Sequence, residues 1–353
     1  MTTACVSTQS TSTDLATMTK DLVEGARDAR FGFIACTEGV SAENLRASLA
    51  SALPGVPFVG VTSCRSVIGN ASVVRGPKAA SAFWLTGDGV AASVASETDA
   101  GSGARLARQA RKHLDAPTFA LFHATPGTEE ALLRDLAPEL GNVPLLGGSA
   151  ADDTIGGKWS VFTHETTLKA GAALALVKWP GEIVANWVSG AMPAQFKGVV
   201  TKADGRTIHE IDGKPAAQLY DQWLGGALKA SITSGEQILD KTTLTPLGAH
   251  RSSGFTLVHP ERIVNGRSIA SFASVNVGET VSLMKSTKLA MQGRPANLVS
   301  RAAARLNGKP LKGVLLFYCA GVHARDRARH AAHGRRAQGH RGQDADLRRV
   351  PLR

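Results

Sequence analysis

Two stretches of the chain repeat the same order of buried strand, amphipathic helix and buried strand. In the first, FGFIACT at residues 31–37 is typical of a buried strand, three leucines spaced four apart form a helical apolar stripe, and VPFVGVTSC follows at 56–64. In the second, TFALFHA at 118–124 and VPLLGGSAADD at 143–153 enclose a similar helix. This order predicts parallel strands joined by right-handed crossovers.

The two stretches also match residue by residue. Shifting residues 31–60 by 87 positions lays them on 118–147 and aligns eight identities in thirty positions, against about two expected from average composition. The matches include Glu43 with Glu130 and Leu49 with Leu136. We therefore predict an internal duplication.

Shorter strand patterns follow each crossover and change in character after residue 180. Residues 199–202 and 207–211, joined by Asp204 and Gly205, predict a hairpin. Residues 313–319 form the last predicted strand. The expected fold class is α/β, with duplicated strand–helix–strand–hairpin units whose mixed sheets are covered by helices, plus a second α+β domain.

Four regions are expected along the 353 residues. Residues 1–27 are rich in Ser and Thr and lack a signal-peptide core, so they are predicted to be a disordered lead-in. Residues 28–180 form the duplicated domain and 181–322 a second, incomplete domain. Residues 323–353 are predicted to be a disordered tail rich in Arg and His.

The net charge of +11 lies largely in that tail. Its nine Arg and three Asp give +6, which leaves 11 − 6 = +5 for the rest of the chain. This charge is too small to form a basic surface that binds the phosphates of a nucleic acid. No nucleic-acid partner is therefore expected. The abrupt change in composition after residue 322 favours a lost reading frame, and a basic arm that binds nucleic acid is the alternative.

Composition also limits the compartment and the cofactors. The chain is 43% apolar and has no apolar run long enough to span a bilayer, so no membrane insertion is expected. The four cysteines and ten histidines show no metal-ligand spacing, and no phosphate-binding loop is present. We expect a cytoplasmic protein without cofactor or metal.

Several motifs, taken in order, resemble the bacterial FIST family. They are VGVTSC, LLGGSAADD, GRTIHEIDGKPAAQLYDQWL, LVHPERIV, SLMKS and LLFYCAG, and the resemblance covers residues 31–321. It implies a FIST N-terminal and a FIST C-terminal domain. It also implies a sensory, non-enzymatic role in intracellular signal transduction, with amino acids as suspected ligands and a separate output protein as partner.

The candidate ligand site combines the strand ends of the two repeats, where exposed amides and hydroxyls can bind a carboxylate. An amino acid or similar small carboxylate is the expected ligand, with Thr62 and Ser149 as donors and Asp152 as the partner of an ammonium group. The candidate residues are Gly60, Thr62, Ser63, Cys64, Gly147, Gly148, Ser149, Asp152, Asp153 and Cys319.

Each of these residues also has a structural interpretation. Small residues let a chain turn sharply, and the two aspartates are typical turn formers. The alternative function is a Cys-dependent enzyme with thiol or hydrolytic chemistry at Cys64 or Cys319, for which His123 or His259 would have to favour the thiolate. A cysteine within hydrogen-bond reach of a histidine would support that alternative.

Overall fold

The computed structural model describes residues 3–70, 72–251 and 254–319 and divides into two compact units. The first unit contains the described residues up to Gly190 and those from Ser286 onward, and the second is Ala191–Lys285. The first unit contains β1 (Ala4–Ser10), α1 (Leu15–Leu22), β2 (Ala29–Thr37), α2 (Ala42–Ala52), β3 (Phe58–Ser63), β4 (Ser66–Gly69), β5 (Ser72–Arg75), β6 (Ala80–Thr86), β7 (Ala91–Thr98), α3 (Gly103–Arg111), β8 (Phe119–Ala124), α4 (Glu129–Leu140), β9 (Leu145–Ser149), β10 (Val161–Thr163), β11 (Thr167–Leu168) and β12 (Gly171–Lys178).

The second unit and the return of the chain to the first complete the described elements. They are β13 (Met192–Asp204), β14 (Thr207–Ile211), β15 (Lys214–Pro215), α5 (Ala216–Trp223), α6 (Lys229–Ser234), α7 (Leu239–Thr242), β16 (Leu247–Arg251), β17 (Gly254–Val258), β18 (Pro260–Val264), β19 (Ser268–Ser271), β20 (Thr280–Lys285) and, back in the first unit, α8 (Lys288–Arg305).

The two sheets of the first unit have the same topology. One has the strand order β1-β6-β2-β3 and continues into β10 and β11, and the other has the order β7-β12-β8-β9. In each, a parallel pair joined through a helix, β2 with β3 and β8 with β9, lies beside antiparallel strands. A short hairpin, β4–β5 or β10–β11, follows each pair. The predicted fold class is confirmed.

The repeated topology begins at the N-terminus, so the prediction of a disordered lead-in over residues 1–27 was wrong for its described part. Strand β1 starts at Ala4 and β7 at Ala91, 87 residues apart, like the matched crossovers. Strand β1 pairs with β6 along its whole length. Helix α1 is capped by Asp14 and buries Met18 and Leu22, two apolar positions that the Ser- and Thr-rich composition concealed.

Three apolar layers hold the first unit together. Helices α1 and α2 cover the outer face of the first sheet, where Leu45 and Leu49 pack on Trp84 and its neighbours. Helices α3 and α4 cover the outer face of the second sheet in the same way. The inner faces of both sheets share a third cluster, the inter-sheet core, to which Val61 and Leu121 belong. The order is therefore helix, sheet, sheet, helix, because each sheet buries both faces.

The second unit is an antiparallel sheet with the strand order β17-β16-β20-β13-β14-β19-β18 and three short helices. The predicted hairpin is present as β13 and β14, and Gly205 in its turn has a φ of 53°. The core of this unit includes Tyr220 from α5, which is fully buried. Its architecture matches the α+β domain expected from the sequence.

The predicted strand at residues 313–319 is not a strand. The segment has no sheet pairing and belongs to the first unit, where Leu315 and Phe317 lie half-buried against the inter-sheet core. The hydroxyl of Tyr318 donates to the Met291 carbonyl oxygen of α8 (2.7 Å), which fixes the segment to that helix. The predicted tail at 323–353 lies outside the described residues.

Candidate functional site

The carboxyl ends of the parallel strands from both copies meet in the first unit. Strands β2 and β3 end side by side, with Thr37 opposite Ser63, and β8 and β9 end together in the same manner. The two ends are joined because the Ala151 N–H donates to the Thr62 carbonyl oxygen over 2.9 Å. We call this region the junction. Ligands of α/β proteins bind at such edges, so the junction is the candidate site.

Asp152 organises the loop that follows the junction. Its side chain is only 5% exposed. One carboxylate oxygen accepts the N–H groups of Thr154 and Ile155, and the other accepts those of Gly156 and Lys158, both at 2.8 Å. Four backbone donors occupy both oxygens, as the turn-forming interpretation requires. Pairing with a ligand ammonium group would compete with these bonds, so the predicted role of Asp152 as an ammonium partner does not fit its surroundings.

The hydroxyls on β3 are also used within the protein. Thr62 is buried, and its Oγ1 accepts the Ser160 N–H over 2.9 Å. The hydroxyl of Ser63 donates to the Ser66 carbonyl oxygen over 2.7 Å. These contacts tie β3 to its neighbours. The Ser149 hydroxyl, by contrast, is exposed and donates only weakly, over 3.3 Å, to Glu129.

Charged residues surround the junction. Asp153 accepts the Arg65 N–H through Oδ1 (2.8 Å), and its own N–H donates to Glu38 (2.9 Å). The ammonium group of Lys158 lies 3.0 Å from the other oxygen of Glu38. The Asp153 N–H, and after it Lys158, lower the pKa of the Glu38 carboxyl. The network therefore holds Glu38 ionised and fixes Asp153 beside the end of β3.

Arg65 directly follows β3 at the junction and has no ion-pair partner in the described part of the chain. It follows β3 with a φ of 59°, a left-handed conformation that few non-glycine residues adopt and that is concentrated at functional sites. Its N–H is held by Asp153, and its guanidinium group has no hydrogen bond or ion pair with the residues that the structure describes. A guanidinium group matches the two oxygens of a carboxylate in a planar fork. The sequence reasoning missed Arg65, although it directly follows VGVTSC.

The three candidate glycines differ in their surroundings. A Cβ atom on Gly60 would lie 2.1 Å from the Phe162 ring. Gly147 has a φ of 141°, and a Cβ atom there would lie 1.9 Å from the Phe122 carbonyl oxygen. Gly148 is exposed, and no atom lies within 4 Å of the position of its Cβ. Gly60 and Gly147 are therefore required by packing, whereas Gly148 leaves open space.

This difference predicts a large loss of stability for a substitution at Gly147 and almost none for the same substitution at Gly148. We expect Gly147→Ala to lower the free energy of unfolding by about 2–4 kcal/mol, because it combines a clash with backbone and a disfavoured φ. Gly148→Ala should change it by less than about 0.5 kcal/mol. Urea unfolding of both variants, followed by tryptophan fluorescence, measures the two values. Equal losses would contradict the assignment of open space to Gly148.

The cysteines at the candidate positions lack the surroundings of nucleophiles. Burial, and then the negative charge of Asp153, raise the pKa of the Cys64 thiol to about 11, so this thiol is protonated at neutral pH. Cys319 is exposed. Among the described residues, neither sulfur has a hydrogen bond to a histidine. The condition that would have favoured a Cys-dependent enzyme is not met in this part of the chain.

His123 is the second residue that the sequence reasoning missed, because it was considered only as an activator of a thiol. It is 1% exposed on β8, and its Nδ1 lies 3.0 Å from the Gly148 carbonyl oxygen. The rings of Phe33 and Phe317 each lie 5.1 Å from the imidazole, centre to centre. Burial lowers its pKa to about 4, and the Gly148 carbonyl opposes part of that effect. Strand alternation was the available signal, since Leu121, two residues earlier, faces the inter-sheet core.

The described residues contain no group of three or more His, Cys, Asp or Glu side chains that could hold a metal ion. None of their helices is both long and apolar enough to cross a membrane.

Comparison with known proteins places the chain in a family. The FIST N domain matches residues 30–214, and the FIST C domain matches 216–341. Uncharacterized protein MJ1623 of Methanocaldococcus jannaschii is 30% identical over 156 residues, which cover 44% of this chain and 29% of that protein. The chain thus matches less than a third of that relative's length. FIST domains are associated with sensory signal transduction and are not enzymes. Because the two matches follow each other along nearly the whole described chain, the protein belongs to the FIST family.

Proposed function

We propose that the protein is a cytoplasmic sensor whose ligand, an amino acid or similar small carboxylate, binds at the junction and whose signal passes to a separate output protein. The proposal rests on Arg65, which follows β3 at the carboxyl edge of the sheet. Its guanidinium group has no ion-pair partner among the described residues. The free thiols of all four cysteines agree with a reducing compartment.

The junction offers a group for each end of an amino acid. Arg65 binds the carboxylate, assisted by the Ser149 hydroxyl and by close approach of the ligand to Gly148. Asp153 takes the ammonium group, because its Oδ2 accepts no hydrogen bond from the described residues. Asp152 and Thr62 shape the loop and strand end instead of contacting the ligand. Charge-assisted pairs of this kind are short and strong.

A thermal-shift screen of the common amino acids and small carboxylates at millimolar concentration tests the proposal. A ligand present at a hundred times its Kd should add about 2.7 kcal/mol of stability. Arg65→Gln should weaken that ligand about tenfold or more, since a hydrogen bond to a charged group contributes about 1.5–3 kcal/mol. Arg75→Gln is the matched control, because Arg75 is an exposed arginine on the hairpin strand β5.

Two results would overturn the proposal. One is a panel that shifts nothing with a well-folded sample. The other is a ligand whose affinity falls equally in the Arg65 and Arg75 variants, because only general surface charge would then be involved. Gly148→Ala adds a separate check: it should keep the stability of the fold and still weaken the ligand.

A further inference from the structure

The ring nitrogen Nε2 of His123 is a buried polar atom without a hydrogen-bond partner in the described residues. The other ring nitrogen, Nδ1, lies 3.0 Å from the Gly148 carbonyl oxygen. A carbonyl oxygen only accepts hydrogen bonds, so Nδ1 carries the proton and Nε2 presents a lone pair. The lowered pKa of His123 agrees with a neutral ring. Buried acceptors of this kind are rare in native proteins and require an explanation.

Two phenyl rings pack on the imidazole that carries this lone pair. Phe33 stacks on the imidazole at 30°, and Phe317 packs on it at 54°. The two phenyl rings also meet each other edge to face at 5.4 Å. A buried water molecule needs two to four polar partners, and the rings provide none. A molecule that is mostly apolar and carries a single donor suits these surroundings better.

Phe317 differs from the other two rings because no sheet holds it. His123 and Phe33 lie on strands inside their sheets, whereas Phe317 lies in the unpaired segment 313–319. Moving Phe317 away therefore breaks no strand ladder. The match to the FIST C domain also includes this segment, although it packs within the first unit.

We propose that His123, Phe33 and the position now filled by the Phe317 ring form a ligand site between the two sheets. Its ligand is a small, flat, apolar ring that carries one hydroxyl or N–H group, which donates to Nε2 of His123. Without ligand, Phe317 fills the place of that ring.

A consequence for signalling follows from this competition. A ligand that takes the place of Phe317 shifts the segment 313–319, which belongs to the FIST C match and lies outside the FIST N match. Ligand binding inside the first unit would therefore move a part of the FIST C sequence. This site does not depend on a carboxylate at Arg65, so it can stand or fail independently of the proposed function.

Phenol and toluene test the site, because they share a ring and differ in the donor. Phe317→Ala opens the ring position, and we expect this variant to bind phenol about tenfold more tightly than toluene, the effect of one net hydrogen bond. In the double variant Phe317→Ala with His123→Phe, that preference should vanish or reverse. Leu315→Ala loosens the same segment without opening the position beside His123, and it should show no preference.

Two observations would overturn the site. One is an equal affinity of Phe317→Ala for phenol and toluene. The other is a preference for phenol that persists in the double variant Phe317→Ala with His123→Phe. Should Phe317→Ala fail to fold, Phe317→Leu gives a smaller opening and the same comparison. In the wild-type protein, long-range nitrogen NMR of His123 must show the proton on Nδ1, and a proton on Nε2 would refute the proposal.

Discussion

Asp152→Ala is expected to lower the free energy of unfolding of the first unit by about 3 kcal/mol. The substitution removes the acceptor of four backbone N–H groups at a side chain that is 5% exposed. Each buried donor left unpaired costs about 1–3 kcal/mol, and water reaching the exposed side of the loop recovers part of the loss. The midpoint of thermal unfolding should fall by roughly 6–12 °C for a unit of this size.

Trp159 reports on this change directly, because it lies beside the loop and packs on the inter-sheet core. Denaturant unfolding followed by tryptophan fluorescence, to which Trp159 contributes, gives the free energy. Asp152→Asn keeps one acceptor oxygen and should lose about half as much. Asp99→Ala is the control, because Asp99 lies at an exposed turn and its carboxylate accepts a single N–H, that of Ala100, among the described residues. A loss no larger than that control would show that Asp152 does not hold the loop.

The stability of the first unit is expected to fall as the pH is lowered from 6.5 to 4, with His123 contributing about 3 kcal/mol. An unfolded histidine titrates near 6.5, whereas burial lowers the pKa of His123 to about 4. Within this window the unfolded chain binds a proton that the folded protein excludes. The contribution is therefore complete above pH 6.5 and lost as the pH falls to 4. The lowered pKa of His164 acts in the same direction.

Substitution of His123 isolates its contribution to the pH dependence of the stability. His123→Phe keeps an aromatic ring between Phe33 and Phe317 but cannot titrate, so its stability profile should be flatter than that of the wild type by about 3 kcal/mol across the window. His113→Gln, at an exposed position after α3, should keep the wild-type slope. Urea unfolding at half-unit pH steps measures all three profiles. Parallel wild-type and His123→Phe profiles would contradict the assignment.

Much of the fold could be predicted because the relevant signals are local. The leucines of α2 and α4, the Gly205 turn and the apolar strands reveal their periods within a few residues. The first strand and helix were not predicted, because their own residues give little apolar signal. Strand β1 is an edge strand that tolerates Ser and Thr, and α1 needs only Met18 and Leu22 to cover the sheet. The composition of residues 1–27 is typical of a disordered segment, but pairing with β6 makes residues 4–10 a strand.

The sequence indicated the strand ends that meet at the junction, but not the hydrogen-bond partners of the individual side chains. The glycine-rich strand ends pointed to the region where Ala151 and Thr62 join the two copies. The roles of single side chains depend on partners distant in sequence, such as Ser160 for Thr62 and Asp153 for Arg65. A turn former and a ligand carboxylate have the same sequence signature, so only the four donors around Asp152 could distinguish them.

The sequence by itself determined the repeated strand–helix–strand units and the β13–β14 hairpin, because side-chain periodicity and turn chemistry act between near neighbours. Tertiary structure alone decided which polar groups remain available. Asp152 and Thr62 are occupied by backbone, the guanidinium group of Arg65 is left without an ion pair among the described residues, and His123 lies between Phe33 and the segment that contains Phe317. The contacts of Thr62, Arg65 and His123 span from about 90 to nearly 200 residues of chain, so no local pattern encodes them. The four bonds of Asp152 are local, but an aspartate that forms such a turn has the same sequence signature as a ligand carboxylate.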